Sequence, residues 1–529
     1  MTDSPAPVAA PPASSPASPL LAHFRRAAEG ASGGGKGLRT GETWRTYRDV
    51  LSDAERVALT LLARSADLGG ERVGLFAHPG AELVAGFFGI LLAGGTVTVL
   101  SPLHPPAESI YVCQDARVRR TLVGAGLDDR AGELALLYPQ DVVSLPAAIG
   151  SDRAGGLALP TIAADRPALQ LYTSGTTGKP KGAVLTHGNL GVQQELLGRA
   201  WGMSAEDVLL HALPLHHMHG ISIALLTAIG SGASVVLLER FDAMRVLAEM
   251  RQATVFMGVP TVYAKLVSTF AELPAPVRDE VSAGPRGLRL CTSGSAALPV
   301  TIGEAWRAIS GQYPLERFGM TEVGVALSNP LEGDRRPGTV GQPLPTVDVK
   351  VVGEDGKTLP AGEVGELYVR GPSVFAGYFG RPEADAASFV PAGDGGGPWF
   401  RTGDTVSQAA DGYVTILGRT SVDILKSGGY KLSALEIEAV LREHPAVDDV
   451  AVVGVPDPTW GERVVAAVIA RPGREAECDG ELLAAFARER LAAYKVPRTW
   501  FVVTELPRTA VGKVKKKELA AELAARVKP

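Results

Sequence analysis

Cysteine is scarce. Three residues in 529, at Cys113, Cys291 and Cys478, are odd in number and lack metal-ligand spacing. That excludes a disulfide framework and a cysteine zinc site, and it suits a reducing compartment. Long apolar runs are missing too. The most apolar stretches, 84–100 and 221–238, are interrupted by glycines, so they read as buried helix–strand pieces and not as membrane spans. Positive charge is not in excess: a net charge of −5 argues against a general nucleic-acid surface. The first 20 residues contain no Lys or Arg, which removes both the charged start of a secretory signal and the arginines of a mitochondrial presequence. Residues 1–18, rich in Pro, Ala and Ser, read as a disordered leader. A cytoplasmic location is expected, with the mitochondrial matrix as the alternative.

What is present is the composition of a globular enzyme, in a chain too long for one core. Between about 40 and 150, strand-like runs at 72–77 and 96–100 flank a helical pattern at 81–93. A weaker cycle follows at 119–123 and 141–144. The rhythm resumes at 208–213, with a helix from about Gly220 and strands at 235–238 and 254–258, which predicts parallel sheets covered by helices. From about 338 the texture changes to short alternating strands, 347–352, 365–370 and 413–417, the last after an Asp411-Gly412 turn. A final α+β unit begins near 424. Ser433 and Glu436 form a capping box ahead of Ile437, Val440 and Leu441 on one helix face; strands at 450–455, 464–470 and 500–503 and a helix at 481–493 complete it.

The most informative string is 172–182, in which Thr173, Ser174, Gly175, Thr176, Thr177, Gly178, Lys179, Pro180, Lys181 and Gly182 follow an apolar run at 168–171. Glycines let backbone N–H groups close on phosphate oxygens, hydroxyls donate further bonds, and lysines supply charge. A linker would need neither the buried strand nor the lysines. A Walker A loop is excluded, because Pro180 stands where Ser or Thr is required. Four more clusters follow in order: Glu316-Arg317-Phe318-Gly319-Met320-Thr321-Glu322, Arg401-Thr402-Gly403-Asp404, Gly418–Tyr430, and the segment 506–513 ending in Gly512-Lys513.

In this order the five clusters resemble the adenylate-forming enzymes: acyl-CoA synthetases, luciferases and the adenylation domains of peptide synthetases. The resemblance spans roughly 40–520 and implies an α/β fold. The large N-terminal domain (19–418) would hold two parallel sheets and a small β-barrel. A hinge at 419–423 around Asp423 would join it to a mobile C-terminal α+β lid (424–529). It also implies ATP, Mg²⁺ and CoA as co-substrates and no tightly bound cofactor. ATP would lie against 173–182, Gly294, Ser295, Ala296, 316–321, Asp404 and Arg419. Phe318 would face adenine, Asp404 the ribose hydroxyls, and Glu322 with Thr177 the metal, since Mg²⁺ takes few carboxylates besides phosphate oxygens. Thr321, Glu322 and Lys513 would act in catalysis, Lys513 neutralising charge during attack on the α-phosphate. Gly428, Gly429 and Tyr430 would line the CoA tunnel. The run Lys515, Lys516, Lys517 reads as a solvated helix face.

Fatty-acid pockets are apolar, yet Arg317 adjoins Phe318, and His216, His217 and His219 cluster nearby. A guanidinium in an acyl pocket needs an anion, which a second substrate carboxylate supplies through a bidentate fork. Arg317, His219 and His217 are therefore the expected distal-carboxylate residues, unless Arg317 pairs with Glu316 or another protein acid. The strings 317–330, 371–378 and 418–438 resemble malonyl-CoA synthetases, which implies malonate, then methylmalonate, as substrate. A medium-chain or aryl acyl-CoA ligase and a catalytically silent nucleotide-binding homologue stay open, and no nucleic-acid or membrane partner is expected.

Overall fold

The computed structural model describes residues 16–30, 37–63, 65–152, 158–173, 179–427, 430–508 and 513–527. Two large sheets form the N-terminal body. A nine-stranded sheet is parallel through its centre, where Leu290–Ser293 lies between Val255–Gly258 and Leu315–Met320. A seven-stranded sheet has Thr96–Leu100 between Arg72–Phe76 and Pro167–Thr173, again parallel. These central strands are mostly buried, with Val, Leu and Phe interspersed with small polar residues, as parallel strands covered on both faces allow. Both glycine-broken apolar stretches are interior: the helix Ala81–Leu92 is buried almost all round, and His219–Leu226 is a buried π-helical segment. No described helix is long and apolar enough to cross a membrane.

Each large sheet ends in an antiparallel hairpin, and the hairpins carry the polar motifs. Pro167–Thr173 pairs antiparallel with Lys181–Thr186, with Thr173 opposite Lys181. The element that follows the glycine-rich string is therefore a strand and not the helix of Rossmann-type sites. Residues 174–178 lie outside the described residues. In the other sheet Leu315–Met320 pairs with Gly324–Ser328. The chain between 372 and 378 joins the two edges: Phe375 N–H donates to Glu322 O at 2.8 Å, Ser373 Oγ donates to Val323 O at 2.9 Å, and Gly377–Tyr378 adds to the edge strand Lys181–Thr186.

The change of texture after 338 corresponds to a five-stranded antiparallel sheet containing Asp348–Val352, Val364–Arg370, Trp399–Gln408 and Val414–Arg419. The C-terminal unit is a second five-stranded sheet built on the long pair Val447–Asp457 and Gly461–Ala470, packed by the helices Ala434–Arg442 and Lys516–Arg526.

Four expectations need correction. Residues 16–18 are tied down, Ser18 Oγ meeting His187 Nδ1 at 2.9 Å and Ala17 bridging Ala163; the rest of the expected leader lies outside the described residues. Arg419 is the last residue of a strand of the large domain, so that body extends one residue beyond 418. Only half of the capping box forms. Ser433 accepts from Glu436 N–H, while the Glu436 carboxylate takes Lys495 Nζ at 2.5 Å instead of the cap backbone. The helix read at 481–493 stops at Arg488.

The turn between the motif strands depends on Gly324. Its φ of +67° is left-handed, and a Cβ would lie 1.7 Å from Gln193 Oε1, the atom that accepts Val325 N–H at 2.7 Å. Gly324→Ala is expected to destabilise the N-terminal domain by about 1–3 kcal/mol through backbone strain alone, with loss of the Gln193 bond adding to it. A denaturant midpoint equal to wild type would contradict this.

Candidate active site

Strand register brings the acyl-pocket candidates together. Ser293 lies beside Glu316 in the parallel sheet, so the turn after Ser293 faces Arg317. The guanidinium rests on Gly294: a Cβ there would stand 2.4 Å from Arg317 Cζ. Arg317 is 3 % exposed, and its Nε and Nη2 have no hydrogen-bond partner among the described residues. Burial pushes its pKa down to about 9. Glu316 does not supply the counter-charge. Its carboxylate accepts Gly338 N–H at 2.8 Å, and burial pushes its pKa up to about 7 against the backbone bonds from Gly338 and Leu298. The internal-pairing alternative therefore fails for Glu316, and no ion pair to Arg317 occurs among the described residues.

His219 opens the π-helical turn, a geometry often found at functional sites. Its ring is buried, with Nδ1 3.4 Å from Ser295 Oγ and Nε2 unpartnered among the described residues. Burial first, then the Arg317 charge, holds its pKa well below the ordinary histidine value, so the ring is neutral. His217 also has an unpartnered Nε2. It lies 4.2 Å from the His216 ring, which in turn meets His104 at 4.6 Å. His211, by contrast, is structural: it bonds Gly220 O at 2.8 Å and accepts Leu213 N–H at 3.2 Å.

On the nucleotide side, Asp404 and Arg419 face each other across antiparallel strands. Arg419 Nε lies 3.2 Å from Asp404 Oδ1, and its Nη1 donates to Thr402 O at 2.5 Å. Asp404 Oδ2 is buried without a partner among the described residues. Burial pushes this carboxyl up to about 6, opposed by the charges of Arg419 and Lys513. Lys513 thus reaches the site from the C-terminal unit. Its pKa is lowered by desolvation and by Arg419, while Asp423 and Asp404 oppose the shift. An unsatisfied buried acceptor beside two cations suits a ribose diol next to phosphate.

Glu322 is 4 % exposed. Its Oε1 accepts the Tyr378 hydroxyl at 2.8 Å, and a buried carboxylate is the hard oxygen ligand a divalent cation would take. Thr177 lies outside the described residues. Phe318, Met320 and Thr321 are half-buried on the same hairpin. Tyr378 was not singled out from sequence. It touches Glu322 and also carries Lys181 Nζ 4.4 Å over its ring, so it couples the two hairpins. Its only signal is its place at the end of the 371–378 string. Lys179 lies 5.7 Å over Tyr111, whose hydroxyl donates to Pro180 O at 2.6 Å. Gly182 backs onto Gln170, where a Cβ would collide at 2.4 Å. Ser295 and Ala296 are exposed at the pocket turn, and Gly319 approaches the Gly324 backbone too closely for a side chain. Gly428 and Gly429 lie outside the described residues; Tyr430 is exposed and stacks on Tyr494 at 4.3 Å.

The AMP-binding enzyme model matches residues 25–379, and the model of the AMP-binding enzyme C-terminal domain matches 436–513. The chain belongs to the AMP-binding enzyme family. It is 40 % identical to the mitochondrial malonate–CoA ligase ACSF3 of Bos taurus, over 90 % of this chain and 86 % of that protein. It is 38 % identical to the malonate–CoA ligase of Arabidopsis thaliana, over 86 % and 78 %. Among solved structures it is similar to ATP-bound MatB from Rhodopseudomonas palustris, with a TM-score of 0.86, 34 % identity and coverage of 97 % and 100 %. Apo MatB gives 0.78. The family is an enzyme family, so the silent-homologue alternative loses ground to the intact charged set Glu322, Asp404, Arg419 and Lys513.

Two buried acids with raised pKa values make stability fall with pH. A carboxyl raised from 4.5 to about 7 binds more protons folded than unfolded between those values. Its contribution is therefore complete below the ordinary glutamate pKa and lost as pH rises through about 7. Glu316→Gln keeps an oxygen for the Gly338 and Leu298 N–H groups. It should flatten the stability decline between pH 5 and 8 by roughly 2–3 kcal/mol, measured by denaturant unfolding across that range. An unchanged slope would rule out Glu316 as the source.

Proposed function

We propose that the chain is an ATP-dependent malonate–CoA ligase that forms malonyl-CoA, AMP and pyrophosphate through a malonyl-adenylate. The observation that carries the reading is Arg317, a buried guanidinium whose Nε and Nη2 find no partner among the described residues. Leaving such a charge unpaired is costly, on the order of 3–5 kcal/mol when a buried partner is removed. A substrate with a second carboxylate supplies the missing charge, and neutral His219 beside it adds a hydrogen bond. The malonate–CoA ligase relatives point the same way. Methylmalonate is the second acid, since one methyl group is worth only about 1–3 kcal/mol of discrimination.

With the distal carboxylate held by Arg317, the other carboxylate of malonate attacks the α-phosphorus of ATP. A phosphorus–oxygen bond forms to the acid and the bond to pyrophosphate breaks. Asp404 orients the ribose through its hydroxyls, while Arg419 and Lys513 draw charge from the transferring phosphate. The hairpin lysines Lys179 and Lys181 flank the departing pyrophosphate. Mg²⁺ bound at Glu322 would neutralise part of the phosphate charge. In the second half-reaction the CoA thiolate attacks the mixed anhydride and AMP leaves. Lys513 has no role there, which is why it sits on a separate, movable unit.

A pyrophosphate-exchange screen over malonate, methylmalonate, succinate, acetate, butyrate and benzoate tests the assignment. Malonate should exceed butyrate in kcat/KM by about 10⁴-fold, because butyrate leaves the guanidinium unpaired. Arg317→Met should erase that preference mainly by loss on malonate; comparable malonate and butyrate rates in the wild-type enzyme would sink the diacid reading. Separately, Lys513→Ala should cut exchange about 10²–10³-fold to a measurable residual rate, while thioester formation from supplied malonyl-adenylate continues near wild-type rate. Equal loss in both steps would contradict the role given to Lys513.

A further inference from the structure

The three lysines after Lys513 do not share one environment. Lys515 and Lys517 are exposed as a solvated face requires, and Lys515 pairs with Glu518 at 3.1 Å. Lys516 is 9 % exposed. It is the first residue of the helix Lys516–Arg526, the end where backbone N–H groups already carry partial positive charge, so a cation is disfavoured there. Two buried carboxylates hold it: Asp423 Oδ1 and Glu438 Oε1, each 2.6 Å from Nζ. Burial alone would lower its pKa; Glu438 and Asp423 outweigh that and hold it above the ordinary lysine value.

Both carboxylates are themselves fixed by backbone. Glu438 Oε1 accepts Val452 N–H at 2.7 Å, which ties it to the long strand Val447–Asp457. Asp423 Oδ2 accepts Arg419 N–H at 2.9 Å, and Asp423 O accepts Ala434 N–H at 2.8 Å. Asp423 therefore belongs at once to the last strand of the large domain and to the first helix of the small one. Lys513 stands three residues before Lys516. The chain between is closed by the Arg508–Val514 bridge and by Lys515 N–H on Pro507 O at 2.8 Å. A displacement of Lys516 must move Lys513.

We propose that Lys516 is a positioning residue for adenylation: by pinning its helix to the hinge carboxylate Asp423 it holds the Lys513 ammonium beside Asp404 and Arg419. The inference rests on the ligase reading for its chemistry, but the contact itself does not depend on which acid is activated.

The test uses the full chain with Lys516→Met, Lys516→Arg, Lys513→Ala and the Lys513→Ala/Lys516→Met double variant. Lys516→Met should cut malonate-dependent pyrophosphate exchange about 30-fold or more, with thioester formation from supplied malonyl-adenylate within about threefold of wild type. Lys516→Arg should recover most of the loss. The double variant should exchange no more slowly than Lys513→Ala, since one residue acts through the other. Equal loss in both half-reactions, or additive loss in the double variant, overturns the proposal in favour of a merely structural ion pair. A readout without turnover separates this from failure of the ligase reading. With ATP alone, Lys516→Met should speed amide exchange about tenfold in 418–427 and 513–520 while the strands Val447–Asp457 and Gly461–Ala470 stay protected. Unchanged exchange in those two segments, or a rise throughout the domain, also overturns it.

Discussion

A buried positive charge with no protein counter-ion among the described residues organises the proposed acyl pocket. Arg317 is shut into the end of a parallel sheet on the bare backbone of Gly294, and its own neighbour Glu316 is turned onto Gly338, its carboxyl pushed up to about 7 by burial. Asp404 shows the same logic with the opposite sign: one oxygen faces Arg419, and the other is buried without a partner among the described residues. Both groups carry desolvation costs that a bound substrate can offset. On the proposed reading, binding strength and selectivity follow from one source. A ligand lacking the complementary group leaves the cost in place.

The architecture places these groups on sheet edges and hairpins of the N-terminal body. Two sheets of similar construction each carry an antiparallel strand pair, one bearing Thr173 and Lys181 and one with Arg317 to Met320. Tyr378 spans the gap, bonding Glu322 and lying under Lys181. The third sheet contributes Asp404, and its last strand delivers Arg419 and then Asp423. Lys513 is the one charged group in this set that arrives from the C-terminal unit. Its position is accordingly the most sensitive to the arrangement of the two parts, and the buried Lys516 contacts bear on that arrangement.

Much of this was legible beforehand because the relevant signals are local. A run of alternating apolar segments specifies strands and helices through burial alone, and 72–76, 96–100 and 141–144 appear where periodicity places them. The motif strings announce nucleotide chemistry because glycine, hydroxyl and lysine must sit close in sequence to wrap one phosphate group. The residue types at 317 and 219 raised the expectation of an anion, with pairing inside the protein as the alternative. Boundaries were less secure: the helix beginning at Gly480 ends five residues early, and Glu436 abandons its cap for Lys495, because tertiary partners outcompete local preference.

By itself, then, the amino-acid order determined the family, the class of chemistry and the identity of the charged groups, since each is written in a short contiguous pattern. Only the folded chain decided which of those charges remain unpaired. Whether Arg317 answers to Glu316, whether Tyr378 reaches Glu322, and whether Lys516 faces water or two carboxylates depend on residues 1, 56 and up to 93 positions apart. Pairing at that range is set by strand register and helix packing, and desolvation, which exists only once a core has formed, then gives each contact its energy.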